Sequence, residues 1–188
     1  MMDYVIVLAA GRGVRAGGPK ALHVVNGRPW WEIQRERLER VGLPMVWVVS
    51  ERVRTGMGEK APERVVIADE MAPMFASVLA GVREVAQRGG ANGVFVLPVD
   101  VPTPGAQVFR RLSACPSAAV PVHGGVHGHP VYISWNVVSQ HVLPARPDDR
   151  LDRLIESERA EVAVDHPAVA VNLNTPDDFR RWEREEGA

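Results

Sequence analysis

Short apolar runs alternate along this chain with stretches of helical pattern, and this alternation restricts the fold more than any other feature. The runs are almost entirely apolar, which is typical of strands buried on both faces of a sheet. Strands that are separated by helices form parallel pairs, because a crossover must bring the chain back before the next strand begins. We therefore expect an α/β fold with a mostly parallel sheet. The expected strands are residues 5–9, 45–49, 64–68, 93–99, 118–122, 130–134 and 161–165.

Helices are expected between these strands. Thr103 is the predicted N-cap of one of them, since threonine caps helices well and Pro104 suits the first turn. Residues 75–86 carry an apolar stripe at helical spacing. The remaining helices are expected from Pro29 to Gly42, around residues 151–155, and from Thr175 onward, with a charged tail from Trp182 that frays.

Composition excludes several classes of function. The formal net charge is −1, whereas a general nucleic-acid-binding protein is usually basic. No apolar run approaches the roughly 18 residues of a membrane-spanning helix, and no secretory leader is recognisable. The single cysteine, Cys115, excludes an internal disulfide and fits a reducing compartment. We expect a cytoplasmic protein, folded as one domain over residues 1–188, that binds neither nucleic acid nor membrane.

A basic, glycine-rich segment follows the first expected strand. Residues 8–22 read LAAGRGVRAGGPKAL, and glycines let several backbone N–H groups converge on one anion. Arg12, Arg15 and Lys20 add positive charge where such an anion would bind. No Asp or Glu occurs between residues 4 and 31. The segment therefore predicts a polyphosphate-binding site.

Two common phosphate loops do not fit this segment. Residues 11–16 match the dinucleotide pattern G-x-G-x-x-A, but Pro19 interrupts the helix that this pattern must enter. A Walker A loop fails as well, since Pro19 precedes Lys20 and Ala21 stands where a Ser or Thr must contact magnesium. The remaining alternative is a flexible surface loop with solvated cations.

Asp100 and Asn174 are the candidate metal ligands. Asp100 follows an apolar strand, and a carboxylate at the carboxyl edge of a parallel sheet can bind Mg²⁺ beside a bound phosphate. The alternative for Asp100 is a cap on the following helix. Asn174 is the candidate second ligand, and in a strand it would share one face with Asn172. The alternative for both asparagines is turn chemistry before the helix at Thr175.

Three histidines, at positions 123, 127 and 129, lie in a glycine-rich stretch. Histidines invite comparison with a zinc site, but no cysteine is close and a loop offers no rigid scaffold. A mobile hairpin loop is the alternative. We expect no zinc site from this stretch.

Residues 8–22 resemble the signature loop of the MobA-like nucleotidyltransferases, usually written L-A-[AG]-G-x-x-x-R-M-G-x-x-K-x-L. The glycine, arginine and lysine positions keep the family spacing, and Ala16 replaces the usual methionine. Further resemblances occur in the family's order and extend over nearly the whole chain. They are LPVDVP at residues 97–102, GHPV at 128–131 and NLNTPDDF at 172–179.

The resemblance implies a three-layer Rossmann-like domain with a mostly parallel mixed sheet, of the nucleotide-diphospho-sugar transferase type. It implies transfer of a nucleotide from an NTP to a phosphorylated acceptor, with release of pyrophosphate. The implied cofactor is Mg²⁺, with Mn²⁺ as a substitute. The implied acceptor is molybdopterin or the molybdenum cofactor, with a molybdenum hydroxylase as a partner. The alternatives are a nucleotidyltransferase for a sugar or polyol phosphate, and a non-catalytic nucleotide-binding accessory protein for a molybdenum enzyme.

The resemblance also assigns roles to individual residues. Arg15 and Lys20 are the implied catalytic residues, Asp100 and Asn174 the metal ligands, and His129 the acceptor-binding residue. Several blocks resemble the cytidylyl branch of the family and favour CTP over GTP, whereas the block NLN is closer to the guanylyl branch. The implied nucleotide-binding residues are Leu8, Ala9, Ala10, Gly11, Arg12, Gly13, Lys20 and Ser77.

Overall fold

The structure is a computed structural model that describes residues 1–186. An eight-stranded sheet forms its centre, in the order β10-β7-β9-β6-β1-β4-β5, with β8 paired to β7. The strands are β1 Tyr4–Ala9, β2 Val24–Val25, β3 Arg28–Pro29, β4 Met45–Val49, β5 Val65–Ile67, β6 Gly93–Pro98, β7 Ala118–His123, β8 Val126–His127, β9 Val131–Ser134 and β10 Arg159–Ala163. Strands β2 and β3 form a separate hairpin. The expected domain of residues 1–188 ends two residues beyond the described part of the chain.

The sheet is mixed and mostly parallel, which confirms the expected α/β class. Strand β1 pairs in parallel with both β4 and β6, and β10 pairs in parallel with β7. Strand β9 is antiparallel to β6 and β7. The helices are α1 Trp30–Val41, α2 Glu51–Met57, α3 Met74–Gln87, α4 Ala106–Ser113, α5 Trp135–Val137, α6 Leu151–Leu154 and α7 Pro176–Glu186.

Burial on both faces explains why the central strands, such as β1, are almost wholly apolar. In β1, Val5 and Val7 belong to one core cluster, and Ile6 belongs to the other cluster on the opposite face. All three are fully buried. Alternate side chains of one strand therefore support two separate layers of helices.

One predicted helix start is wrong. Helix α4 begins at Ala106 with Gly105 as its N-cap, whereas Thr103 was the predicted cap. The backbone N–H and the hydroxyl of Thr103 both donate to Gln34 Oε1, at 2.9 and 3.1 Å. The Thr103 hydroxyl is therefore bound to buried Gln34 of α1 and does not cap the helix, contrary to the local sequence pattern.

The segment before α7 also differs from the strand conformation that was expected for it. Residues 171–174 are not in a strand, and Asn172 is exposed. The shared strand face expected for Asn172 and Asn174 is therefore wrong. No helix among residues 1–186 is long and apolar enough to cross a membrane.

Candidate active site

The glycine-rich segment after β1 is folded into a compact loop. Gly13, Gly17 and Gly18 all have positive φ angles, of 62°, 79° and 155°. Gly13 has a second constraint, because a Cβ there would collide with the carbonyl oxygen of Gly18. The N–H groups of Ala16 and Gly18 both donate to Gly13 O, at 2.8 and 3.1 Å. These contacts hold the loop in one compact conformation, which favours a preformed loop over a flexible surface loop.

Lys20 lies at the centre of a polar cluster. Its Nζ is 2.6 Å from Asp100 Oδ2 and 2.8 Å from Asn174 Oδ1. The side chains of Lys20 and Asp100 are each only 17% exposed. Arg15 Nη2 donates to the same Asn174 oxygen at 3.3 Å. The four residues predicted for catalysis and metal binding, distant in sequence, are thus brought together.

Backbone contacts align the three segments that carry this cluster. Val99 N donates to Leu8 O at 2.9 Å, which holds the end of β6 beside the end of β1. Leu173 N donates to Asp100 O at 2.8 Å. The carboxyl edge of the parallel strands therefore collects the loop, Asp100 and the segment before α7.

Asp178 positions Asn174. Its Oδ2 accepts hydrogen bonds from the Asn174 N–H at 3.0 Å, the Thr175 N–H at 2.8 Å and the Thr175 hydroxyl at 2.8 Å. The bond from the Thr175 hydroxyl, with those from the two backbone N–H groups, lowers the pKa of Asp178. The turn chemistry that was the alternative for this segment is thus present, and it presents Asn174 to Lys20.

The oxygens in this cluster fit a hard divalent cation. Asp100 Oδ2 and Asn174 Oδ1 approach the same ammonium group and so converge on one point. Carboxylate and amide oxygens suit Mg²⁺ or Mn²⁺, and two protein ligands leave most of an octahedron to phosphate oxygens and water. Asp100 and Asn174 would hold such an ion.

The histidine stretch has other partners. His127 Nε2 is 2.6 Å from Glu161, and His123 Nδ1 is 3.0 Å from Val164 O. Within residues 1–186, no three His, Cys, Asp or Glu side chains are grouped as metal ligands.

A cavity of 370 Å³ opens beside the loop. Arg15 and Asp100 line it, together with most of the residues predicted to bind the nucleotide. Arg12 does not line it, and its guanidinium instead contacts Met71 Sδ at 3.5 Å. The lining residues from that prediction are Leu8, Ala9, Ala10, Gly11, Gly13, Lys20 and Ser77.

Two acidic residues in the same cavity were missed from the sequence. Asp69 and Glu70 line the cavity together with the loop. A signal was available, because Asp69 follows closely on β5, whose carboxyl end lies at the same edge of the sheet as those of β1 and β6. We call this space the loop cavity.

A second cavity, of 490 Å³, adjoins the first and is mostly apolar. Leu8, Met74 and Pro98 line both cavities. His129 lies in the second cavity, and its backbone N–H donates to Val169 O at 2.9 Å. Burial lowers the pKa of His129, against the opposing effect of the Asp100 charge. The His129 imidazole is therefore neutral at pH 7. We call this space the apolar cavity.

Comparison with known proteins identifies the family of this chain. A family model described as "MobA-like NTP transferase domain" matches residues 5–168. The chain belongs to the MobA-like NTP transferase family. The match includes Lys20, Asp100 and His129, whereas Asn174 lies beyond it. The resemblance drawn from the sequence motifs is thereby confirmed, and the chain is a nucleotidyltransferase.

Two curated members of this family are similar to the chain. The molybdenum cofactor guanylyltransferase of Sinorhizobium fredii is 28% identical over an alignment of 208 positions, gaps included, which covers 95% of this chain and 89% of that protein. The molybdenum cofactor cytidylyltransferase of Escherichia coli is 25% identical over 87 residues, 45% of each protein.

The fold of this MobA-like domain is shared with a solved structure, that of Rv0371c from Mycobacterium tuberculosis. The TM-score is 0.80 at 24% identity, over 98% of this chain and 99% of the other. A complex of Rv0371c with manganese gives a TM-score of 0.74 at 23% identity, with 98% and 99% covered. These likenesses confirm the nucleotide-diphospho-sugar transferase type of fold.

Proposed function

We propose that the chain transfers a nucleoside monophosphate from an NTP to the phosphate of the molybdenum cofactor and releases pyrophosphate. One observation carries this proposal: a polar loop cavity and a larger apolar cavity share a wall, with the Lys20–Asp100–Asn174 cluster beside that wall. The arrangement suits an NTP in the loop cavity and an acceptor in the apolar cavity. Their phosphates would meet between the two spaces.

The chemistry needs little more than positioning and charge. An oxygen of the acceptor phosphate attacks the α-phosphorus of the NTP, and the bond to pyrophosphate breaks. Lys20 and Arg15 neutralise negative charge on the reacting and departing phosphates. A phosphate monoester is largely ionised at neutral pH, so no general base is required. Asp100 and Asn174 would hold a divalent ion, Mg²⁺ or Mn²⁺, which supplies further charge neutralisation.

The lining of the apolar cavity suits the molybdenum cofactor. Phe75 and Ile155 contribute apolar surface for a flat heteroaromatic group. Asp152 and Arg159 also line the cavity and can hydrogen-bond to polar substituents. His129 is neutral and can donate or accept one hydrogen bond there. Because the two charged groups also suit the hydroxyls of a sugar or polyol phosphate, the choice of acceptor rests on the relatives. The curated relatives act on the same cofactor by name. A molybdenum hydroxylase is the partner that would receive the product.

The base is proposed to be guanine. Guanine presents two adjacent donors, N1–H and the N2 amino group, whereas cytosine presents one amino donor on the corresponding edge. The carboxylates of Asp69 and Glu70 can accept from such donors. The Sinorhizobium relative, aligned over nearly the whole chain, is a guanylyltransferase. The loop motifs favoured CTP, so the two lines of argument disagree and the nucleotide must be tested.

Pyrophosphate release tests the proposal directly. The full chain would be incubated with each of the four NTPs and Mg²⁺, with and without molybdenum cofactor. We expect release only when the cofactor is present, with GTP the better substrate than CTP. If none of the four NTPs released pyrophosphate under these conditions, the proposal would be contradicted. Faster release with a sugar or polyol phosphate in place of the molybdenum cofactor would support that alternative acceptor.

Asp69→Asn tests the choice of base. An amide offers one acceptor oxygen and places an N–H donor beside it, so it suits guanine less well. We expect the ratio of kcat/KM for GTP to that for CTP to fall by about tenfold, corresponding to about 1.4 kcal/mol of discrimination. An unchanged ratio in steady-state kinetics would exclude Asp69 from reading the base.

A further inference from the structure

The ammonium group of Lys20 occupies the position in which the two candidate metal ligands converge. It lies 2.6 Å from Asp100 Oδ2 and 2.8 Å from Asn174 Oδ1. Both distances are those of direct hydrogen bonds. Lys20 and Asp100 are mostly shielded from solvent, with 17% of each side chain exposed. Water therefore screens the charges in this cluster only weakly.

The Asn174 oxygen is already fully engaged. An amide oxygen has two lone pairs, and Asn174 Oδ1 accepts from Lys20 Nζ at 2.8 Å and from Arg15 Nη2 at 3.3 Å. A divalent ion on this oxygen would have to displace at least one of these donors. It would also be repelled by the ammonium group, whose charge has the same sign.

We propose that Lys20 closes the metal site of the nucleotide-free chain, and that the triphosphate opens it by drawing the ammonium group onto its own oxygens. The proposal rests on the proposed function, because it takes the loop cavity as the NTP site. The consequence is an order of binding. The divalent ion binds poorly to the chain alone and well together with the nucleotide, and the coupling between the two is reciprocal.

The local structure permits this exchange without moving the fold. Lys20 has a flexible four-carbon side chain with three ammonium donors. It begins a short 3₁₀ turn, Lys20–Leu22, directly after the glycine-rich loop. Lys20 and the loop line the same cavity. The ammonium group can therefore move from the carboxylate to a phosphate by side-chain rotation alone.

Mn²⁺ binding in the absence of nucleotide tests the proposal. Electron paramagnetic resonance would measure free Mn²⁺ with the wild-type chain and with Lys20→Met, which is one atom shorter, keeps an unbranched side chain and removes the charge. We expect Lys20→Met to bind Mn²⁺ about tenfold more tightly than the wild type. The double variant with Asp100→Asn should lose this gain, because the carboxylate that receives the ion is gone.

Arg52→Met is the matched control. Arg52 of α2 lies beside Gly18 of the loop and is exposed, so its removal changes the net charge equally without touching the cluster. We expect its Mn²⁺ affinity to stay within about twofold of the wild type, since exposed charges are strongly screened.

Equal Mn²⁺ affinity of the wild type and Lys20→Met would overturn the proposal, as would an equal gain in Arg52→Met. Far-ultraviolet circular dichroism checks that each variant is folded, and Lys20→Gln replaces Lys20→Met if that variant is not. The test involves neither acceptor nor turnover. A chain that shows the Mn²⁺ gain but releases no pyrophosphate would contradict the proposed function alone.

Discussion

At the scale of single residues, Lys20 connects the loop, the metal ligands and the proposed reaction. It is the donor that reaches both Asp100 and Asn174, and it lines the loop cavity. A cation in such a place can stabilise charge that develops on the transferring phosphate. Lys20 was found from the sequence because its spacing to the loop glycines matches a family motif.

Lys20→Ala should therefore lower kcat for pyrophosphate release by about 10²- to 10³-fold. The fold should remain, because Lys20 belongs to neither core cluster and its ammonium group makes polar contacts with Asp100 and Asn174. Lys60→Ala is the control, since the Lys60 side chain is 75% exposed and its ammonium group pairs with Glu32, away from the site. Near-normal turnover of Lys20→Ala, with an unchanged circular dichroism spectrum, would refute the assigned role.

The burial of His129 predicts that the stability of the fold depends on pH. Burial lowers its pKa from the usual 6.5, so the unfolded chain takes up this proton at a higher pH than the folded chain. The contribution of His129 to stability is thus fully present above pH 6.5 and is lost as pH falls toward its lowered pKa. His23, whose pKa is also lowered by burial, acts in the same direction.

We expect His129→Gln to reduce the loss of thermal stability between pH 6.5 and about pH 5. The melting temperatures of the wild type and of His129→Gln, measured at a series of pH values, give this loss of stability. A loss as large in His129→Gln as in the wild type would mean that His129 is not buried as a neutral group.

At the scale of elements, the backbone of the loop is constrained at its glycines. Gly13 and Gly17 both have positive φ, but only at Gly13 would a Cβ meet another atom, the carbonyl oxygen of Gly18. Alanine substitutions at Gly13 and Gly17 therefore distinguish two effects. Both add the strain of a left-handed backbone, and only the substitution at Gly13 adds a steric collision.

Gly13→Ala should weaken NTP binding much more than Gly17→Ala. Gly17→Ala bears only the roughly 1–2 kcal/mol of an alanine in the left-handed region, whereas Gly13→Ala must also move the Gly18 carbonyl and with it the loop. Isothermal titration with a non-hydrolysable GTP analogue compares the two. Equal losses of affinity would show that the Gly13–Gly18 contact does not shape the site.

Elements could be predicted from sequence where local pattern decides them. The central strands were found because burial on both faces makes them continuously apolar, whereas the short strands β2, β3 and β8 were not predicted. Thr103 misled as a helix cap because buried Gln34, far away in sequence, binds its hydroxyl. Asn174 was identified by the family motif, yet its position comes from Asp178 and the turn before α7 rather than from a strand. Such hydrogen bonds leave no periodic pattern in the sequence from which they could be predicted.

At the scale of the whole molecule, the site arises from the topology of the sheet. Strands β1, β5 and β6 end at one edge, where they place the loop, Asp69 and Asp100 together. The order of strands and motifs along the chain predicted that the loop and Asp100 would meet, whereas Asp69 was missed. The apolar cavity was not predictable, since it is formed by α3, α6 and the strands around β9, whose packing only the three-dimensional structure gives.

Val131→Phe should test the role of the apolar cavity. Val131 of β9 lines it and does not line the loop cavity, so a larger side chain would fill acceptor space alone. We expect KM for the acceptor to rise about tenfold while KM for the NTP is unchanged. Val126→Phe, at an exposed position of β8, is the control. A rise in the KM for the NTP instead would place the nucleotide in the apolar cavity.

Transfer of the nucleotide itself is the central claim. Its most direct test is incubation of the full chain with GTP labelled at the α-phosphate, molybdenum cofactor and Mg²⁺, followed by mass spectrometry of the acceptor. The account predicts a cofactor heavier by one guanylyl group, carrying the label, with one pyrophosphate formed for each. Label that stays in GTP, or that leaves as free GMP with an unmodified cofactor, would contradict it.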